Sequence, residues 1–324
     1  MIDSCDPDGE NSRMGLLLSS RAAALALAMA ALLGLASQAE AVTAYGLTNT
    51  NGLVTFDTAT PQNINFAINQ ISGLSPNDDL IGIDFRPADG LLYGVATGSG
   101  PGNSARIYTI DPITGVATLR STLSASLNGS RFGFDFNPVA DRLRIVSNAD
   151  QNLRVDVTTG VTTTDTSLSY QPGDLFFGQN PNVISSAYTN SFVGASTTQL
   201  YGIDSVRNSL VLQVSPNGGT LQTIGLLGVD VSQLSGFDIY FDPATQKNIG
   251  FATLQNIAEG VSRFYTIDLT TGQATAVGLE MGDLIDGLAI VPAAVPEPAT
   301  VGLLGLGAVL GGVKLLRRRT SARS

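Results

Sequence analysis

One phrase returns along this chain at a nearly constant interval, and that interval limits the possible folds more than any other feature. It reads Gly82-Ile83-Asp84-Phe85-Arg86-Pro87, then Gly133-Phe134-Asp135-Phe136-Asn137-Pro138. A stretched copy runs from Gly236-Phe237-Asp238 to Asp242-Pro243. A degraded copy is Ser185-Ser186-Ala187-Tyr188-Thr189-Asn190, and a last one is Gly287-Leu288-Ala289-Ile290-Val291-Pro292. The copies recur about every 51 residues, the length of a supersecondary unit that buries its apolar face only by stacking on its neighbours.

Two further phrases keep the same period. Leu92-Tyr93-Gly94-Val95 is echoed by Leu143-Arg144-Ile145-Val146, Leu200-Tyr201-Gly202-Ile203, Asn248-Ile249-Gly250-Phe251 and, near the start, Ala44-Tyr45-Gly46-Leu47. An alternating run then ends in an acidic turn: Tyr108-Thr109-Ile110-Asp111 with Thr114-Gly115, Val155-Asp156 with Thr159-Gly160, and Tyr265-Thr266-Ile267-Asp268 with Thr271-Gly272. Val214-Ser215 with Gly218-Gly219, and Phe56-Asp57 with Thr60, complete the set. Apolar–polar alternation predicts strands. Asp bonds its own backbone two residues on, and glycine supplies the positive φ of the hairpin. Each repeat therefore reads as four strands. The chain is predicted to be all-β, a β-propeller of five four-stranded blades. One blade is split: its first strand is Leu288–Val291 and its other three come from residues 43–70. Joining the chain ends in one sheet closes the ring and hides its edges. A β-sandwich or a β-solenoid is the alternative arrangement of the same strands.

The ends read as addresses. Met14 opens a signal peptide with Arg21 as its positive region, an apolar run from Ala22 to Leu35, and an A-x-A cleavage site at Ala39-Glu40-Ala41. Residues 1–13 hold Asp3, Asp6, Asp8 and Glu10, which suit no such region and read as an upstream extension. Domain boundaries follow: 1–41 for extension and signal peptide, 42–292 for the repeats, 293–324 for the tail. The single cysteine, Cys5, falls in the discarded part, so the mature domain is expected to hold together without disulfides. In the tail, Pro296 and Pro298 flank Glu297 and keep the chain extended. An apolar run from Ala299 to Val313 follows; with Leu315 and Leu316 it reaches about 18 residues, the low edge for a membrane span. Gly307 and Gly311 have the spacing of helix pairing. Arg317, Arg318 and Arg319 form a cytoplasmic basic stop. This tail resembles the PEP-CTERM sorting signal of Gram-negative bacteria. The resemblance implies export through the inner membrane, transient anchoring, cleavage near Pro-Glu-Pro by an exosortase, and release to the cell surface or outside. The repeats resemble an uncharacterised bacterial family of secreted propeller-like domains of unknown function, which implies a fold and no activity.

Composition narrows the chemistry. With 17 basic and 27 acidic side chains the chain carries −10, which repels nucleic acid and anionic lipid. There is no histidine and no tryptophan. Imidazole bases and ligands are thus excluded, and so are indole platforms for sugars. The mature domain offers no thiol chemistry, and no Gly-x-Ser-x-Gly elbow occurs. Gly98-Ser99-Gly100-Pro101-Gly102 precedes no helix and reads as a blade loop.

What remains is carboxylate. Asp84, Asp135 and Asp238 share one register on three blades, facing a common axis. Three carboxylates there are candidates for a Ca²⁺ site, for paired acids, or for acceptors of backbone N–H groups that pin the blades. No other cofactor is expected. Asp57, Asp111, Asp156 and Asp268 read as turn formers, Asp78-Asp79 as a solvated loop, and the Phe and Tyr residues as core. Arg131, Arg142, Arg144 and Arg154 lie on one blade, either to grip an anionic sugar or to pair with Asp141 and Asp156. The expected role is an interaction or scaffold protein, not an enzyme. It would bind extracellular polysaccharide or another surface protein through loops on one propeller face. The alternative is an extracellular lyase or hydrolase using the channel carboxylates.

Overall fold

The computed structural model describes residues 41–293, apart from 69, 99–104, 258–259 and 283. The expected signal peptide with Ala39, the apolar tail segment, Pro296-Glu297-Pro298 and Arg317–Arg319 lie outside the described residues. Among the described residues every regular element is a strand, and no helix is long and apolar enough to cross a membrane.

Strands β1 (Thr43–Thr48), β2 (Leu53–Asp57) and β3 (Asn65–Ile68) open the chain. Strands β4 (Asp78–Phe85), β5 (Leu92–Gly98), β6 (Arg106–Ile110) and β7 (Ala117–Thr122) form the next sheet in sequence order, and β8 (Phe132–Asn137), β9 (Arg142–Ser147), β10 (Asn152–Val155) and β11 (Thr162–Thr164) the one after. A short β12 (Ser169–Tyr170) comes before β13 (Val183–Tyr188), β14 (Leu200–Asp204), β15 (Ser209–Ser215) and β16 (Thr220–Leu226). Then follow β17 (Val231–Asp242), β18 (Lys247–Asn256), β19 (Ser262–Ile267) and β20 (Ala274–Glu280), and β21 (Ile285–Ile290) ends the chain. The last strand pairs antiparallel with the first, Ala44 opposite Ile290 and Gly46 opposite Leu288, giving the sheet β21-β1-β2-β3. Five small sheets thus form a five-bladed β-propeller whose split blade is closed by both chain ends. The fourth sheet departs from the expected pattern: β12 adds a fifth, outer strand parallel to β16. The repeat does not encode it, because it comes from the connection between blades.

The inner and middle strands are buried on both faces while the outer strands β7, β11 and β20 stay largely exposed, and each interface between blades buries one cluster. Leu47 and Leu53 of the split blade meet Ile83, Phe85 and Leu92. Val95 and Ile107 meet Phe134 and Ile145, and Val146 meets Val183 and Val211. Ala187 and Ile203 meet Phe237 and Leu254, and Phe251 and Phe264 meet Phe56, Leu288 and Ile290. Burial of each such side chain stabilises by about 1.5–3 kcal/mol, so each blade holds its neighbours in place. The repeated glycine has a steric cause. A Cβ on Gly133 would stand 2.5 Å from the backbone carbonyl carbon of Ser185 on the next inner strand, and one on Gly236 2.6 Å from the backbone nitrogen of Leu288. The inner strands approach too closely for any side chain there.

The hairpin acids behave as turn formers. Asp111 accepts from the amides of Ile113 and Thr114, Asp156 from Thr158 and Thr159, and Asp268 from Thr270 and Thr271; Asp57 accepts from Ala59. Gly115, Gly160 and Gly272 follow with φ of 70°, 75° and 79°. The expected loop at Asp78-Asp79 is corrected: both lie in β4. Asp78 is buried because Tyr108 Oη donates to it at 2.5 Å and Arg106 pairs with it.

Candidate functional site

The first strand of each blade, β4, β8, β13, β17 and β21, is a sheet edge facing the axis. Alternate N–H groups on such an edge have no ladder partner. One per strand falls in the repeat register, on Phe85, Phe136, Tyr188, Ile239 and Ile290. The three aspartates accept from Phe136, Ile239 and Ile290 and lie beside the other two. Asp84 accepts the Phe136 N–H of the next blade at 2.9 Å and lies beside the N–H of Phe85. The Tyr188 N–H of the next blade lies beside Asp135 and opposes the rise in its pKa. Asp238 accepts from Ile290 at 2.6 Å and from Ile239 at 2.6 Å. The pattern follows the sequence. Where the register position is Ala187 or Ala289, the following blade's aspartate faces its own neighbouring N–H in place of the missing carboxylate.

One oxygen is left over. Asp135 Oδ1 is buried and has no hydrogen-bond partner. The three carboxylates are 3–4% exposed, and one oxygen from each lies within 4.8 Å of the others. Loss of hydration and mutual repulsion raise their pKa values. Burial and then Asp238 push Asp84 well above the usual carboxylate range; burial, Asp84 and Asp238 do the same to Asp135. Asp238 is raised to about 6, chiefly by burial. The sequence register brings these three together, and their amide partners emerge only in the closed ring.

The axis is narrow beside this knot. Gly82, Gly133, Ser185, Gly236 and Gly287 line a space of about 20 Å³. At the mouth where the inner strands begin, Arg131 faces Asp286 at 3.9 Å. Asp286 is raised to about 6, mainly by burial, with Arg131 opposing. No sequence motif marks Asp286, since its blade departs from the repeat there. At the opposite mouth, Phe85, Asp89, Phe192, Val291 and Ala293 line a bowl of about 400 Å³.

The arginines of the third blade separate. Arg142 pairs with Asp156 at 3.4 Å as the strand-face reading expects, while Asp141 turns to Arg86 of the neighbouring blade at 2.5 Å. Arg144 and Arg154 share a carboxylate that the sequence reading missed, Asp165, at 2.7 and 2.6 Å. The two guanidiniums hold Asp165 below the ordinary carboxylate range against the effect of burial. Tyr93, Tyr108, Tyr188, Phe136 and Phe264 are core, as their repeat positions suggest.

A closed five-bladed ring, an axial carboxylate knot and a sorting tail define a class of exported propeller. The tail matches the PEP-CTERM protein-sorting motif over residues 294–319. That motif marks a protein for export and exosortase-dependent sorting to the cell surface or extracellular space of Gram-negative bacteria. The chain belongs to the family described as Domain of unknown function (DUF4394), which it matches over residues 27–289, beginning ahead of the expected cleavage at Ala41. No curated protein matches it. Among solved structures, it is similar to a Bacteroides fragilis protein provisionally assigned as a 6-phosphogluconolactonase. The two are 11% identical over 79% of this chain and 99% of that one, with a TM-score of 0.39. It is also similar to Saccharomyces cerevisiae Sqt1, at 15% identity over 74% of each chain and a TM-score of 0.35.

Proposed function

We propose that this chain is an extracellular interaction protein, displayed after sorting, that engages polysaccharide or another surface protein through its loop faces. The tail anchors it transiently in the inner membrane until an exosortase cuts near Pro296-Glu297-Pro298. One observation supports a binding role over a lyase or hydrolase working from the channel. The only acid trio among the described residues is buried against backbone amides on an axis too narrow for a sugar. A general acid or base must lie within hydrogen-bond reach of its substrate, and these three do not face an open cleft. The bowl at the inner-strand ends has the volume of a ligand pocket. Binding to a glycan array, with parallel hydrolase and lyase assays, tests this. Retention without turnover is expected; turnover abolished in Asp84→Asn or Asp135→Asn would establish the enzyme reading instead.

A second reading of the knot rests on the unpartnered Asp135 Oδ1. An ion between three oxygens spaced as these are would sit about 2.8 Å or less from each, near the roughly 2.3–2.6 Å of Ca²⁺–oxygen bonds. In this reading Asp84, Asp135 and Asp238 hold a structural Ca²⁺ that offsets their repulsion and locks the ring.

A further inference from the structure

We propose that a basic pocket between the third and fourth blades binds an acidic sugar residue, a uronate or a sulfated sugar, within an extracellular polysaccharide. This rests on the reading of the chain as a polysaccharide-binding surface protein, and it names the site and the ligand class.

The pocket encloses about 110 Å³, enough for one anionic group and part of its ring. Arg142 and Arg144 of β9 and Arg154 of β10 line it, with Tyr188 and Asn217 from the fourth blade, and no acidic residue is among its lining. Three guanidiniums in one small cleft are unexpected on a chain of net charge −10. Their partners do not balance them. Arg144 and Arg154 share the single carboxylate of Asp165, and Arg142 has Asp156 alone. Three positive groups against two negative ones leave one positive charge, and Arg144 is only 2% exposed, where water screens poorly.

The three arginines take different parts. Arg144 is fixed: it donates to Asn152 at 2.7 Å, Asp165 at 2.7 Å and Asn217 at 2.8 Å, so it ties the two blades together and supplies field. Arg154 spends Nε and Nη2 on Asp165 and has no described partner for Nη1. Arg142 is about half exposed and donates Nη1 to the Asp141 carbonyl. Arg142 and Arg154 therefore keep donors for an incoming anion, in the planar fork that suits carboxylate and sulfate. Arginine stays charged at any natural pH, so the grip does not depend on proton supply.

The test uses the full chain in mild detergent against immobilised polygalacturonate, dextran sulfate and unmodified dextran, at low and high salt. Retention on polygalacturonate, on dextran sulfate or on both is expected, weakening with salt, with none on dextran. The two anionic arms tell carboxylate from sulfate. Arg142→Gln and Arg154→Gln should each weaken retention about tenfold, and Arg142→Lys less. Arg142 stands outside the buried Arg144–Asp165 pair, so R142Q should keep the wild-type Tm and isolates the pocket from folding. Anionic polymer bound equally by wild type and R142Q, or dextran bound as well as either, overturns the pocket while the polysaccharide reading stands. No retention on any polysaccharide overturns both.

Discussion

Acidification should stabilise this protein between pH 7.5 and 5. Asp238 has its carboxyl raised to about 6 in the folded chain, against 3.8 when unfolded. The folded state binds its proton more tightly, so this contribution is complete below pH 3.8 and is lost as pH rises through 6. The gap of about two pH units amounts to about 3 kcal/mol once ionised. About 1.4 kcal/mol of that is recovered on going from pH 7.5 to 5. For a domain this size the gain is a rise in Tm of about 3–5 °C. Asp84, Asp135 and Asp286 are shifted the same way and add to it. Asp111, Asp156, Asp165, Asp242 and Asp268 are lowered and pull the other way, but only near and below pH 3.8, outside this window. Asp135→Asn removes one repelling charge and lets an amide N–H stand where Oδ1 lacks a partner. In EGTA it should raise Tm at pH 7.5 and flatten the pH dependence. Calorimetry at both pH values, with EGTA and with millimolar Ca²⁺, is the assay. A wild-type Tm in EGTA that is flat or falls on acidification would refute the strained knot. Under the Ca²⁺ reading, the ion raises wild-type Tm at pH 7.5 by several degrees and loses that effect in D135N; no response to Ca²⁺ leaves the knot balanced by protons.

Ring closure predicts that truncation after Gly282, which removes Ile285, Leu288 and Ile290 from the core, costs roughly 5–9 kcal/mol and yields unfolded or aggregated protein. Truncation after Ala294 should melt as the full chain does, and equal melting of the two would disprove closure. Gly133→Ala forces a Cβ against the Ser185 backbone and should lower stability by about 1–3 kcal/mol in urea unfolding. An unchanged midpoint would mean the inner strands are looser than their spacing indicates. Intact mass of the protein shed by producing cells should correspond to a chain beginning near Val42 and ending near Pro296; a mass that retains Arg317–Arg319 would contradict processing at that motif.

The repeat pattern pointed to the ring, and the pairing of β21 with β1 closed it. Related phrases at a nearly constant interval, with alternation between them, leave few arrangements, and the placing of the last copy near the chain's end implied that β21 pairs with β1. The sequence also marked Asp84, Asp135 and Asp238, because a shared register in a ring means a shared axis. It did not show β12, Asp286 or the Asp165 carboxylate, which lie where the copies diverge and no period guides the eye. Nor did it show what the aspartates bond to. Whether Ala187 and Ala289 leave two amides bare depends on how close the inner strands run, and that distance is set by glycines packing against backbone a whole repeat away. Asp135 is left with a buried, unpartnered oxygen for the same reason: five inward N–H groups and three carboxylates meet only when all five blades are in place. Tertiary structure decided this because hydrogen bonding and charge balance on the axis belong to the closed ring, and no single repeat contains them.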